Sequence, residues 1–231
     1  MATEISSTLK KGFDSLNQDI EQFEAVFPIT EDMHITYDGV ARLVMLDRYS
    51  SKDTKKVTLK EGDFVLLTVK EDPKYPARGT GTILGTARIL VSEEYQQNID
   101  TFGMEEEGIV TRSIITLDKP LELFYEQIAM RNAHGLAQVE ISPEKRYDAF
   151  VKFYEEQKVK NFIPAGRVLY GAGSRTDVTY FNCYVMPFVP DSRGGISDHR
   201  KKVMEIMSRG GGVGTNGSTL RPRHALARGV N

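Results

Sequence analysis

The chain has one cysteine, no tryptophan and no apolar run long enough to cross a bilayer. A single thiol excludes a disulfide-built secreted scaffold and fits a reducing compartment. A membrane span needs roughly 18 consecutive apolar residues, and Met1 to Asn17 is too polar for a signal peptide, so a cytoplasmic protein with no membrane partner is expected. Charge of one sign is also lacking. Thirty Lys and Arg against 32 Asp and Glu leave a net charge of −2, which gives no electrostatic footprint for nucleic acid. His199 and His224 lack metal-ligand spacing and read as surface residues.

What is present is an ordinary globular composition, 40% hydrophobic over 231 residues, enough for one or two cores. Leu9, Phe13, Leu16, Ile20 and Phe23 recur near a helical period and predict an amphipathic helix over 7–27. From Ile35 the pattern turns strand-like: Ala41 to Leu46, Lys56 to Leu59, Gly62 to Val69, Thr82 to Leu84 and Ala87 to Val91, with a Pro- and Gly-rich turn over 73–81. Short strands at this spacing predict a small antiparallel SH3-like β-barrel. Its lysines and arginines are interleaved with acids such as Asp53, Glu61 and Asp63, which fits a solvated surface better than a phosphate-tracking groove.

Two helices follow. Asp118 and Pro120 precede Leu121, Phe124, Tyr125 and Ile128 on one face, with Gly135 as the end. Ser142-Pro143-Glu144 starts a second, whose Tyr147, Phe150, Val151 and Tyr154 fall at i, i+3, i+4 and i+7 and read as core.

The last third carries the only thiol. Cys183 lies in Thr179 to Met186, an aromatic and β-branched run that predicts a buried strand, where a lone cysteine is more often a small core residue than a reagent. A helix over 197–209 places Val203, Ile206 and Met207 on one side, with Arg200 to Lys202 near its start. In the glycine run that follows, Gly212, Gly214 and Gly217 satisfy a dinucleotide fingerprint in form only, because a helix precedes it and a basic Pro-bearing loop follows. The glycines license close backbone approach to an anionic ligand, or a helix C-cap, equally well. Asp191 and Ser192 read as a helix cap, and Arg167 as a surface ion-pair partner or a phosphate ligand.

Phe162-Ile163-Pro164-Ala165-Gly166-Arg167, Asn182-Cys183-Tyr184-Val185, Pro190-Asp191-Ser192 and the Gly210 to Arg223 run, in this order and spacing, resemble the N-terminal part of an adenosylcobalamin-dependent (class II) ribonucleotide reductase. The resemblance covers at least residues 121–231. It implies an α+β chain: an N-terminal helix and linker (1–34), the small β-barrel as accessory domain (35–116), a helical reductase domain (117–162), and the first strands and helices of an incomplete reductase α/β barrel (163–231). No helical ATP-binding cone is expected.

By the same resemblance Cys183 is one of two thiols that reduce the ribose. Ala165 and Gly166 contact the substrate phosphates, Ala165 through main chain only, because some relatives carry a hydroxyl residue at its position. Asn182, Gly211 and Gly212 lie along the ribonucleotide substrate, while Asp191, Ser192 and Arg221 serve a deoxynucleotide effector. A dimer interface would run along the helices beside the effector site. The second thiol, the radical-bearing cysteine and the C-terminal cysteine pair of the family have no counterpart in a chain with one cysteine. The expectation is therefore a part of a split, interrupted or truncated reductase, inactive until a complementary C-terminal chain supplies the barrel and most of the adenosylcobalamin site. The alternatives are a non-catalytic nucleotide-binding regulatory subunit and an SH3-like binding module.

Overall fold

The computed structural model describes residues 40–53, 59–100, 104–174, 176 and 178–226. The expected helix over 7–27, and residues 56–58 of one expected strand, lie outside them. The chain divides into two compact units, residues 1–176 and 177–231. Among the described residues, two antiparallel sheets, one two-stranded parallel pair and six α-helices make a mixed α+β protein.

The first unit opens with α1 (Val40–Arg48), where the sequence pattern predicted a strand over Ala41 to Leu46. Helix wins because Met45 and Leu46 are buried and Leu43 packs beside them, while Ala41 and Val44 face outward, a spacing that one helical face provides and alternation does not. After β1 (Lys52–Asp53) come β2 (Phe64–Lys70), β3 (Ala77–Gly85), β4 (Arg88–Val91), the single-turn α2 (Glu93–Gln96), β5 (Met104–Glu106) and β6 (Ile109–Thr111). The antiparallel sheet runs β2-β3-β4-β6-β5, with Phe64 opposite Thr82, Thr82 opposite Leu90 and Leu90 opposite Ile109. Its end strands β2 and β5 do not pair, so the expected closed barrel is an open sheet among the described residues.

Strand alternation sorts this sheet between two cores. Val65, Leu67, Val69, Ile89, Val91 and Val110 point to one face and bury Tyr95 and Leu117. Leu66 points to the other and joins Met45 and Leu46. The helical part completes that second core: β7 (Lys119–Pro120) pairs with β1, and α3 (Tyr125–Ala137) and α4 (Pro143–Lys158) bring Ile128, Met130, Phe150 and Tyr154 onto Leu66. Full burial of each such side chain is worth roughly 1.5–3 kcal/mol.

α4 starts as its sequence dictates, with Pro143 in the first turn and Ser142 Oγ accepting from the Lys145 amide at 3.3 Å. α3 starts later than the pattern predicted, because Lys119–Pro120 is spent on a strand; Gln127 Oε1 then reaches back to the amides of Leu123 (2.6 Å) and Phe124 (3.1 Å). Gly135 lies inside α3 rather than ending it. A Cβ there would sit 2.1 Å from the Gly173 nitrogen, so the glycine is what lets the 172–173 backbone cross the helix.

One ion pair of this unit is buried on both sides. Arg131 Nε meets Glu122 Oε1 at 2.5 Å, with the two side chains 2% and 4% exposed. The Arg131 guanidinium also donates to the carbonyls of Tyr49 (3.1 Å), Tyr170 (3.0 Å) and Ala172 (2.8 Å), while Glu122 Oε2 accepts from the Ser51 amide at 2.8 Å. A buried guanidinium costs several kcal/mol to desolvate unless its donors are met. Here they tie the end of α1, the segment before α3 and the end of α5 (Gly166–Gly171) to one point. The predicted Pro164 to Arg167 loop is thus half helix, since Gly166 opens α5.

Candidate functional site

The second unit holds most of the candidate residues. β8 (Cys183–Tyr184) and β9 (Gly212–Val213) pair in parallel, Cys183 opposite Gly212 and Tyr184 opposite Val213, and between them runs α6 (Arg193–Ser208). The strand is two residues long, not the eight that the aromatic run predicted. Cys183 is free and exposed, which corrects the expectation of a buried thiol. Only the stretch facing Gly212–Val213 finds a partner strand, so Tyr180, Phe181, Val185 and Phe188 also remain exposed.

The glycines face the thiol. The Gly212 amide donates to the Asn182 carbonyl at 2.7 Å, and a Cβ on Gly212 would lie 3.4 Å from both that carbonyl oxygen and Cys183 Sγ. Backbone without side chain therefore flanks the sulfur, leaving room for another molecule against it. Gly211 is buried and constrained differently: its Cβ would meet Ile206 Cγ2 at 2.5 Å and Tyr184 Cε2 at 2.8 Å. The Tyr184 hydroxyl is held 3.2 Å from Thr179 Oγ1. Asn182 itself is exposed beside the thiol.

The turn before α6 carries the other cluster. Ser192 is the N-cap, its Oγ accepting from the Gly195 amide at 3.0 Å. Asp191 takes a two-oxygen contact from Arg221 Nε at 2.9 and 3.1 Å, and Arg221 Nη2 also reaches the Asp191 carbonyl at 3.4 Å. Both side chains are about a third exposed, so this pair contributes little stability, on the order of 0–1 kcal/mol. It does hold a carboxylate and a guanidinium, an acceptor and a fork of donors, at one point of the surface.

The sequence reading missed His199. The lack of metal-ligand spacing predicts a surface residue, yet His199 is 9% exposed and its Nε2 lies 3.0 Å from Thr215 Oγ1. The signal was in the spacing: Ile196, His199, Val203 and Ile206 recur at i, i+3, i+7 and i+10, one stripe of α6. Thr219 was also missed as a tether, its Oγ1 donating to the Val189 carbonyl at 2.6 Å. A groove of about 360 Å3 runs along this stripe, lined by Val189, Ile196, His199, Val203, Met204 and Leu220 among others. Met207, expected beside Val203 and Ile206, is exposed.

Ala165 and Gly166 belong to the first unit. Ala165 is the exposed N-cap of α5, and a Cβ on Gly166 would lie 3.3 Å from the Tyr49 ring. Among the described residues no group of three or more His, Cys, Asp or Glu could hold a metal ion, and no helix is long and apolar enough to cross a membrane.

Residues 114–177 match the family model described as the ribonucleotide reductase all-alpha domain. The match spans α3, α4 and α5 with Ala165 and Gly166, and it stops short of Cys183. No curated protein matches the chain.

Proposed function

We propose that this chain is the N-terminal portion of an adenosylcobalamin-dependent ribonucleotide reductase, which converts ribonucleotides to 2′-deoxyribonucleotides for DNA synthesis once a complementary C-terminal part joins it. The observation that carries the reading is the juxtaposition along the chain of a reductase-type helical segment, 114–177, with an exposed cysteine set against glycine backbone. On this reading the parallel β8 and β9 begin the reductase α/β barrel, and the five-stranded sheet takes the place of the SH3-like accessory domain. The proposed place of work is the cytoplasm.

The ribonucleotide lies against Cys183 Sγ, with Asn182, Gly211 and Gly212 along it. Loss of the 2′-hydroxyl as water needs a proton donor beside it, and an accessible thiol is such a donor. The two electrons come from two thiols: Cys183 and a cysteine of the completing part are oxidised to one disulfide, the 2′-carbon is reduced, and the oxygen leaves as water. Asp191, Ser192 and Arg221 hold a deoxynucleotide effector, the carboxylate accepting from its sugar hydroxyl. Adenosylcobalamin, when bound, supplies the radical that starts the reaction. The groove on α6, about 360 Å3, is far smaller than a corrin macrocycle, and the completing part is proposed to hold the cofactor.

The test is reconstitution. This chain, mixed with the completing chain, adenosylcobalamin, a ribonucleotide and a dithiol, yields deoxyribonucleotide, and Cys183→Ser abolishes the product. Activity that survives the substitution contradicts the assignment.

A further inference from the structure

Three side-chain contacts fasten the loop after β9 to α6 and to the segment that leads into it. Arg221 grips Asp191, Thr219 Oγ1 bonds the Val189 carbonyl, and Thr215 Oγ1 bonds His199 Nε2. The first is solvent-exposed and easily exchanged for other partners. The third differs in kind. His199 is one turn and a half into α6, more than nine-tenths buried in the floor of the groove, and its contact to Thr215 sits three residues beyond Gly212, whose backbone flanks the thiol. Thr215, like the rest of the 214–220 loop, is exposed, so the buried end of this contact is the imidazole. His199–Thr215 is therefore a part-buried link, anchored on a buried imidazole, between the helix capped by Ser192 and the backbone beside Cys183.

We infer that His199 is a positioning residue, which acts through Thr215 to transmit the state of the Asp191–Ser192 turn to the Gly211–Gly212 backbone. The inference rests on the effector and substrate roles proposed above. It assigns no chemistry to His199, which touches neither ligand. α6 is a rigid element, so a shift at its capped N-terminus moves the imidazole with it, and a hydrogen bond transmits that movement only while both partners are present. Removing the Thr215 hydroxyl at constant shape cuts the link and leaves both ends intact.

The experiment uses the assembled reductase and two variants of each partner. Thr215→Val keeps the volume and loses the hydroxyl; Thr215→Ser keeps the hydroxyl. His199→Leu loses the ring nitrogen; His199→Gln places an amide nitrogen near the same point. The readout is the change in preference between two ribonucleotide substrates when a deoxynucleotide effector is added, alongside the effector-free rate. Coupling of this kind is worth about fivefold or more in the wild type. Thr215→Val and His199→Leu bring that ratio close to one with the effector-free rate retained, and Thr215→Ser and His199→Gln restore it. A wild-type-like effector response in Thr215→Val overturns the inference and leaves the reductase reading standing. Loss in Thr215→Ser equal to that in Thr215→Val also overturns it, because the hydroxyl is then not the link. A wild-type assembly that reduces no ribonucleotide, or ignores every deoxynucleotide, overturns the inference together with the functional reading beneath it.

Discussion

Gly211 and Gly212 are neighbours in sequence, yet the same substitution should have opposite consequences at the two. An alanine methyl at 211 would run into Ile206 and Tyr184 at 2.5 and 2.8 Å, so Gly211→Ala forces the ring or the helix to move and costs about 1–3 kcal/mol. At 212 the methyl meets Cys183 Sγ at an ordinary contact distance, so Gly212→Ala leaves stability within roughly 0.5 kcal/mol of wild type while covering one side of the sulfur. Denaturant melts and the rate at which a disulfide reagent modifies the native thiol separate the two. The wild-type thiol reacts without denaturant, Gly212→Ala reacts several-fold more slowly, and Gly211→Ala melts early. Equal melts for both variants would show that Tyr184 and Ile206 do not hold Gly211 as described. The aromatic residues around Cys183 were legible as strand-formers but misleading about burial. Hydrophobicity alone says what a side chain prefers, and only the pairing partner says how much of the run becomes sheet.

Helices and strands show where local pattern suffices and where it does not. α4 was legible because cap, proline and apolar spacing all agree. α1 was not, since a short apolar run satisfies either period until the element it packs on is known. α3 was legible as a helix but not in its limits, because Pro120 serves a strand and Gly135 serves a crossing backbone rather than a terminus. Two predictions belong here. Arg131→Ala strands Glu122 in the interior and should cost about 3–5 kcal/mol, enough to unfold much of the first unit, whereas Lys158→Ala at the exposed end of α4 should be nearly silent. Chemical denaturation of both measures the difference. Burial in α3 holds the His134 imidazole below its ordinary value of 6.5. The neutral ring is therefore favoured in the fold, and its contribution is fully present above pH 6.5 and lost as pH falls from there through the folded value. Stability measured between pH 7.5 and about 5 should decline, and His134→Gln should flatten the decline. An unchanged slope would place the acid-sensitive group elsewhere.

Across the whole molecule, the sheet and the helical part share a core through Leu66, while Cys183 and the Asp191–Arg221 pair lie in the second unit. The motifs themselves were legible, because Cys183, Asp191-Ser192 and the glycine run are each short and local. What stayed hidden was contact between distant positions: Asp191 with Arg221 and His199 with Thr215 are 30 and 16 residues apart, and no periodicity relates them. The central claim is that Cys183 supplies one of the two electrons-bearing thiols of a ribonucleotide reduction. It is tested most directly by mapping disulfides after a single turnover of the assembled protein, with adenosylcobalamin and ribonucleotide present and no external reductant. The account predicts one deoxyribonucleotide formed per disulfide, with Cys183 in that disulfide and its partner in the completing part. Product formed while Cys183 stays a free thiol would contradict it.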